Sequence, residues 1–134
     1  MRRLKKKRFR QWLETLVLRL CFGLFGLLPL DAASALGGWM GRFFGPWFPV
    51  TRYAELNLRM ALPNLSDGER AKIIRDMWDN LGRYAAEFPH MSKDEIVTRV
   101  NSAGLEYLEQ ARLSGKASLW ISGHFGNWEI MPRM

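Results

Sequence analysis

The stretch LWISGHFGNWEIMPRM, Leu119–Met134, carries the reading of this chain. It continues a short apolar run, ASLWIS (Ala117–Ser122), whose length and bounding glycines suit a buried strand. Just before it, GLEYLEQARLSG (Gly104–Gly115) is an amphipathic helix stopped by a glycine. Just after it come Gly123, His124, Gly126, Asn127 and Glu129, a tight loop leading into new helix. Helix, strand, loop and helix in that order are the opening of an α/β domain. Val97–Val100 supplies a second short extended segment. The expectation is an α/β fold that is mostly α-helical over these residues, with one or two short strands near the C-terminus.

His124 and Glu129 have four residues between them, and that spacing alone proves little, because His90 and Glu95 in PHMSKDE share it. Context separates the two pairs. His90 follows a helix-ending proline with no strand before it, and Glu95 is accounted for as the partner of Ser92 in capping a short turn. His124 follows a strand across Gly123, and Gly126 lets the backbone turn tightly or approach a ligand closely. In α/β sheets sites collect at the carboxyl ends of strands. On one continuous helix, residues five apart point about 140° apart, since each residue turns about 100°. The pair can therefore meet only if His124 sits in the loop and Glu129 in the first helical turn. Asn127 could cap that turn, where the helix dipole favours a carboxylate.

A neutral imidazole is a good general base near neutral pH, and a carboxylate on its other nitrogen fixes the tautomer and stabilises the imidazolium. No nucleophile accompanies the pair. Ser122 lacks the glycine-flanked elbow of a serine hydrolase, and Cys21 lies in an apolar segment far away. A base without its own nucleophile points to direct attack by a substrate hydroxyl. Zinc would need more ligands than this region has, and there is no HExxH, so neither metal nor cofactor is expected. The rival reading is a capped, packed histidine.

Upstream, VTRYAELNLRMAL (Val50–Leu62) is a helix closed by Pro63. LSDGERAKIIRDMWDNLGRYAAEF follows, with Ser66 and Glu69 spaced as a capping box. Ile73, Ile74, Met77, Trp78, Leu81 and Tyr84 form a stripe that reads as core. Arg70, Lys72, Asp76, Asp79 and Arg83 read as a solvated face.

The N-terminal quarter differs in kind. Residues 1–10 hold seven basic side chains and no acid, so the other 124, with 13 basic and 13 acidic, are neutral overall. The formal charge of +7 is thus a terminal arm, a poor fit to a nucleic-acid surface, and no nucleic-acid partner is expected. WLETLVLRLCFGLFGLLPL (Trp12–Leu30) lacks a convincing signal-cleavage site after it. Glu14 and Arg19 would each cost roughly 2.5–3.5 kcal/mol at the centre of a bilayer. An interfacial helix fits better than a crossing one, with the arm meeting anionic lipid. AASALGGWMGRFFGPWF (Ala32–Phe48) adds Trp39, Trp47 and several Phe suited to the headgroup layer. Residues 1–48 are therefore expected to be a basic arm with membrane-associated helices, and residues 49–134 a separate region that carries the candidate pair. The single cysteine excludes an intrachain disulfide.

SGHFGNWE resembles the histidine-and-acid signature of the lysophospholipid acyltransferase superfamily. With HFGNWE after an apolar run it is similar to the bacterial lipid A biosynthesis lauroyl and myristoyl acyltransferases. NLRMALPNLSDGERAKIIRDMWDNLGR and GLEYLEQARLSGKASLWISGHFGNWE stand in the order that family has them. The resemblance implies transfer of a fatty acyl group from acyl carrier protein to a hydroxyl of a lipid A precursor, at the cytoplasmic face of the inner membrane. It makes His124 the base and Glu129 its orienting carboxylate, with Asn127 and the backbone near Gly126 as candidate substrate and oxyanion contacts. It also implies a catalytic domain running well beyond Glu129, so a truncated fold, inactive alone, is the expectation for these 134 residues. Two alternatives stay open: a non-catalytic membrane-binding module, and an acyltransferase for another lysolipid or glycolipid acceptor.

Overall fold

The computed structural model describes residues 2–91, 98–123 and 126–133, with side chains at 8–91, 98–123 and 126–130. The chain divides into two compact units, Met1–His90 and Met91–Met134.

The first unit is built from four helices: α1 (Arg2–Leu27), α2 (Leu30–Phe44), α3 (Thr51–Ala61) and α4 (Asp67–Glu87). The turn at Leu28 and Pro29 separates α1 from α2. Proline has no N–H to donate and disfavours helix in the residue before it, so the apolar run from Leu20 cannot continue as one helix. Among the described residues no helix is long and apolar enough to cross a membrane. Pro63 likewise falls just beyond α3. Ser66 opens α4 with a complete capping box: its hydroxyl accepts from the Glu69 N–H, and the Glu69 carboxylate accepts from the Ser66 N–H at 2.8 Å. That hydroxyl, then that backbone N–H, hold the Glu69 carboxyl below its ordinary pKa.

The centre of this unit is the pairing of α2 with α4, and small residues make it. Gly37, Gly38 and Gly45 of the segment 37–45 are buried, and Gly41 is half-buried. A Cβ on Gly41 would lie 2.1 Å from the Trp78 carbonyl oxygen, and one on Gly82 would lie 2.1 Å from that of Gly37. The two backbones touch, which only residues without side chains allow. Polar contacts fix the register along the seam. Asp79 accepts from Arg83 Nε at 2.7 Å and pairs with Arg42 Nε at 3.3 Å. Ser34 donates to Glu87 at 2.7 Å and accepts from Arg83 at 3.3 Å. Trp78 Nε1 donates to Thr51 Oγ1 at 3.0 Å, and that hydroxyl donates to the Gly45 carbonyl, joining α4, α3 and the end of α2.

This packing corrects two expectations about α4. Of the six-residue stripe only Ile74 is buried, while Ile73, Met77 and Leu81 are exposed. Among the charges, Lys72 and Asp76 do pair on the surface. Arg70, however, is buried, and its guanidinium donates to the Leu65 carbonyl, Asp67 and Glu55. Arg70 is enclosed on the α3 side, by Glu55 and the Leu65 carbonyl; toward α2 the helix turns Gly82, Asp79 and Arg83, because α2 offers a surface without side chains into which large apolar groups would not fit.

The second unit contains α5 (Leu105–Leu113) and a 3-10 helix, Trp128–Arg133. Gly104 precedes α5 with φ +81°, and Gly115 in the turn after it has φ +64°. The expected α/β character is absent among the described residues, which form no strand. Ala117–Ser122 is irregular, with Leu119 88% and Ile121 91% exposed. Residues 98–100 of the other expected strand are not extended ladder either, and Val97 lies outside the described residues. A strand, unlike a helix, takes its hydrogen bonds from a neighbour. No second strand lies beside either segment among the described residues, so apolar composition alone cannot hold them extended and buried. Ser92 and Glu95, read above as a capped turn, also lie outside the described residues.

Candidate functional site

The residues singled out by sequence fall in the second unit. His124 lies outside the described residues, so the geometry of the site is that of its flanks. Gly126 follows it with φ +54°, a left-handed conformation that a residue with a Cβ rarely adopts, and a Cβ there would meet nothing within 4 Å. The requirement for glycine at this position is therefore the backbone turn and not crowding. Asn127 is half-buried; its side-chain amide donates to Met91 Sδ at 3.8 Å, a long contact to a weak acceptor. Its carbonyl accepts from the Ile130 N–H at 3.3 Å and starts the 3-10 helix.

Glu129 is exposed and lies in the first turn of that helix. A carboxylate in a first helical turn is favoured by the helix dipole. Pro132, lacking an N–H, limits how far helical bonding can run through this segment. The turn at Gly126 thus separates the histidine's position from the first helical turn, where the carboxylate stands. On the N-terminal side, Ser122 is exposed, its hydroxyl 3.5 Å from the Gly123 carbonyl oxygen, at the limit of a hydrogen bond. Among the described residues no group of three or more His, Cys, Asp or Glu is placed to hold a metal ion.

The other histidine has a different role. His90 is 2% exposed, and its Nε2 lies 3.0 Å from the Phe25 carbonyl oxygen. A carbonyl only accepts, so Nε2 carries the proton and the ring donates. His90 fastens the end of α4 to the end of α1, where Phe22 also stacks on Phe88 at 5.4 Å. Nothing in PHMSKDE announced this. Sequence reading separated His90 from His124 by the missing strand, whereas what occupies it is a carbonyl 65 residues upstream. Arg70 was missed as well. No sequence pattern announces its burial, because it is enclosed by Glu55 of α3 and the Leu65 carbonyl of the α3–α4 connection; only its pairing with Asp67, three residues away, is local.

A shallow recess lies in the α3–α4 connection, lined by Ala61, Leu62, Pro63, Asn64 and Leu65. It contains no acid, base or nucleophile and offers no chemistry to rival the Gly123–Glu129 segment.

Compared with known proteins, residues 2–134 match the profile of a family described as bacterial lipid A biosynthesis acyltransferase. No curated protein and no solved structure matches the chain.

Proposed function

The chain belongs to the bacterial lipid A biosynthesis acyltransferase family, and from that premise we propose that His124 and Glu129 form the proton-transfer pair of an acyl transfer from acyl carrier protein to a hydroxyl of a lipid A precursor. The observation that carries this reading is the family match running through Glu129. Gly126 at positive φ supports it, because a turned loop ahead of a first-turn carboxylate is the arrangement the pair needs to meet.

In the proposed step the acceptor hydroxyl attacks the thioester carbonyl while imidazole at His124 takes its proton. Glu129, on the other ring nitrogen, holds the tautomer and balances the imidazolium. The tetrahedral oxyanion takes hydrogen bonds from donors near Gly126, with the Asn127 amide a further donor to substrate. Collapse of the intermediate breaks the carbon–sulfur bond, and the departing carrier thiolate recovers the proton from the imidazolium. The ester forms, the thiol leaves, and histidine returns neutral, so no metal or cofactor is required.

Acyl carrier protein is cytosolic, so this reading sets the site on the cytoplasmic side of the inner membrane, with residues 1–48 contacting its lipids. The absence of a helix fit to cross a bilayer among the described residues agrees with interfacial contact. The proposal includes inactivity of the 134-residue chain by itself. The run leading to His124 stands exposed at Leu119 and Ile121, whereas a working site needs rigid support. Labelled acyl transfer onto a lipid A precursor tests the reading. The expected result is no product from the 134 residues alone, product when they stand within a complete acyltransferase of the family supplied with acyl carrier thioester, and none there with an acceptor whose hydroxyl is blocked. Transfer to the blocked acceptor would refute hydroxyl attack. Preference for another lysolipid or glycolipid would replace the acceptor, not the chemistry.

A non-catalytic membrane-binding module is the second reading, favoured by the exposed aromatic side chains of α2.

A further inference from the structure

Helix α2 is built inside out for a protein in water. Its inward side is small residues: Ala33, Gly37 and Gly38 are buried, and Gly41 meets the α4 backbone. Its outward side is large and apolar. Leu36, Trp39, Met40, Phe43, Phe44 and the adjoining Trp47 recur at three- and four-residue spacing, and all are exposed. Trp39 is 53%, Phe43 51% and Trp47 72% exposed. These rings are organised among themselves: Trp39 stacks on Phe43 at 5.8 Å, and Phe43 meets Phe44 at 4.9 Å and Trp47 at 5.4 Å. The only charged residues of α2 are Asp31 and Arg42, and Arg42 is turned to Asp79 on α4.

An ordinary surface helix puts its large apolar residues inward and its polar ones outward. Reversal of that order places the helix against a non-aqueous medium, and Trp-rich apolar patches of this kind suit the boundary between lipid headgroups and chains. Charge identifies the medium further. Residues 1–48 contain nine basic and two acidic side chains, while residues 49–134 are neutral, so the whole formal charge of +7 accompanies the aromatic face. Positive charge in the same segment as an exposed apolar face complements a bilayer containing anionic lipid.

We propose that the aromatic face of α2, held as a rigid plate by glycine contact with α4, inserts into an anionic bilayer together with the exposed apolar side chains of α1, such as Trp12, Leu20 and Leu24, while the basic residues at positions 2–10 add electrostatic attraction. This rests on the membrane contact proposed above for residues 1–48 and assigns two separable parts to it. The helix then lies along the bilayer plane, with α4 on its water side.

The test uses the full chain with vesicles of phosphatidylethanolamine and phosphatidylglycerol, in low and high salt. Two variants are compared with the unaltered chain: Phe43→Ser with Trp47→Ser, and Arg8→Gln with Arg10→Gln. Both altered positions of the aromatic variant are exposed, so circular dichroism is expected to be unchanged. Near 1 M salt the Debye length falls to about 3 Å and the arm is screened. The unaltered chain is expected to retain measurable binding there, and the aromatic variant to bind about tenfold or more weakly. The arginine variant is expected to weaken at low salt and to match the unaltered chain at high salt. Brominated lipid is expected to quench the fluorescence of bound chain that keeps Trp39 and Trp47, and less so without Trp47. If the aromatic variant binds like the unaltered chain at both salt levels, insertion by α2 is wrong while membrane contact stands. If the unaltered chain binds no vesicles, both are wrong. If the variant loses only self-association, seen by sedimentation velocity without lipid, the face belongs to a second copy and the proposal is overturned.

Discussion

Substituting Gly82 by alanine should destabilise the protein, although alanine is the better helix former. The gain in helix propensity is about 0.5–1 kcal/mol. Against it, the new Cβ would lie 2.1 Å from the Gly37 carbonyl oxygen, 2.9 Å from the carbonyl carbon and 3.1 Å from Gly41 Cα. All three neighbours are backbone, so no rotamer change relieves the contact. The helices must separate by about 1 Å, and a gap of that size already forfeits a quarter to a half of each dispersion contact across the seam. Overpacking of this kind costs about 1–3 kcal/mol, with the upper end expected where backbone must move. The net effect is a loss of about 1–2 kcal/mol, or a Tm lower by about 5 °C. Gly23 on α1 is the internal control, because a Cβ there would meet nothing within 4 Å. Gly23→Ala should therefore keep the propensity gain and raise Tm by a few degrees. Thermal unfolding followed by far-UV circular dichroism reads both. A Tm that rises for Gly82→Ala as it does for Gly23→Ala would refute backbone contact between α2 and α4.

Three further outcomes follow from other contacts. Ser66→Ala removes the hydroxyl that caps α4 and should cost about 1 kcal/mol in urea unfolding. With the Glu69 carboxyl held below its ordinary pKa, the capping box contributes fully above the ordinary carboxylate range and loses that contribution as pH falls through the lowered value. NMR titration should find Glu69 below its ordinary value, returning toward it in Ser66→Ala. Arg70→Ala leaves the Leu65 carbonyl without its guanidinium donor and Glu55 with Arg59 alone, and should cost about 2 kcal/mol; Arg70→Lys should recover little, having a point charge in place of a fork. His90→Ala opens a cavity and removes the ring donor to the Phe25 carbonyl, which keeps the Leu28 N–H, costing about 2 kcal/mol, with partial recovery in His90→Gln, whose amide can donate.

Local signals were legible in the sequence, and long-range ones were not. The capping box at Ser66, the stop of α3 before Pro63 and the span of α5 are decided by residues within one or two turns of one another, so sequence pattern suffices. The α2–α4 seam was missed because core was sought in large apolar residues, whereas this core is made by glycines that bring two backbones together. The same habit made Ile73, Met77 and Leu81 look buried and Arg70 look solvated. The strand expected at Ala117–Ser122 failed for the complementary reason: its composition is right, but a strand's hydrogen bonds come from a partner. At the candidate site, sequence left Gly126 as either a tight turn or a close approach to a ligand, and its positive φ is that of a turn. Glu129 lies in a first turn as the spacing argument requires, although that turn is 3-10.

The proton-transfer role of His124 is the central claim, and its most direct test is the acyl-transfer rate of a complete acyltransferase of the family that contains these 134 residues and carries His124→Ala, with acyl carrier thioester as donor and a lipid A precursor as acceptor. Loss of a positioned general base predicts a fall of about 10²–10⁴-fold in kcat with KM for the donor little changed. Undiminished transfer by His124→Ala would contradict the account.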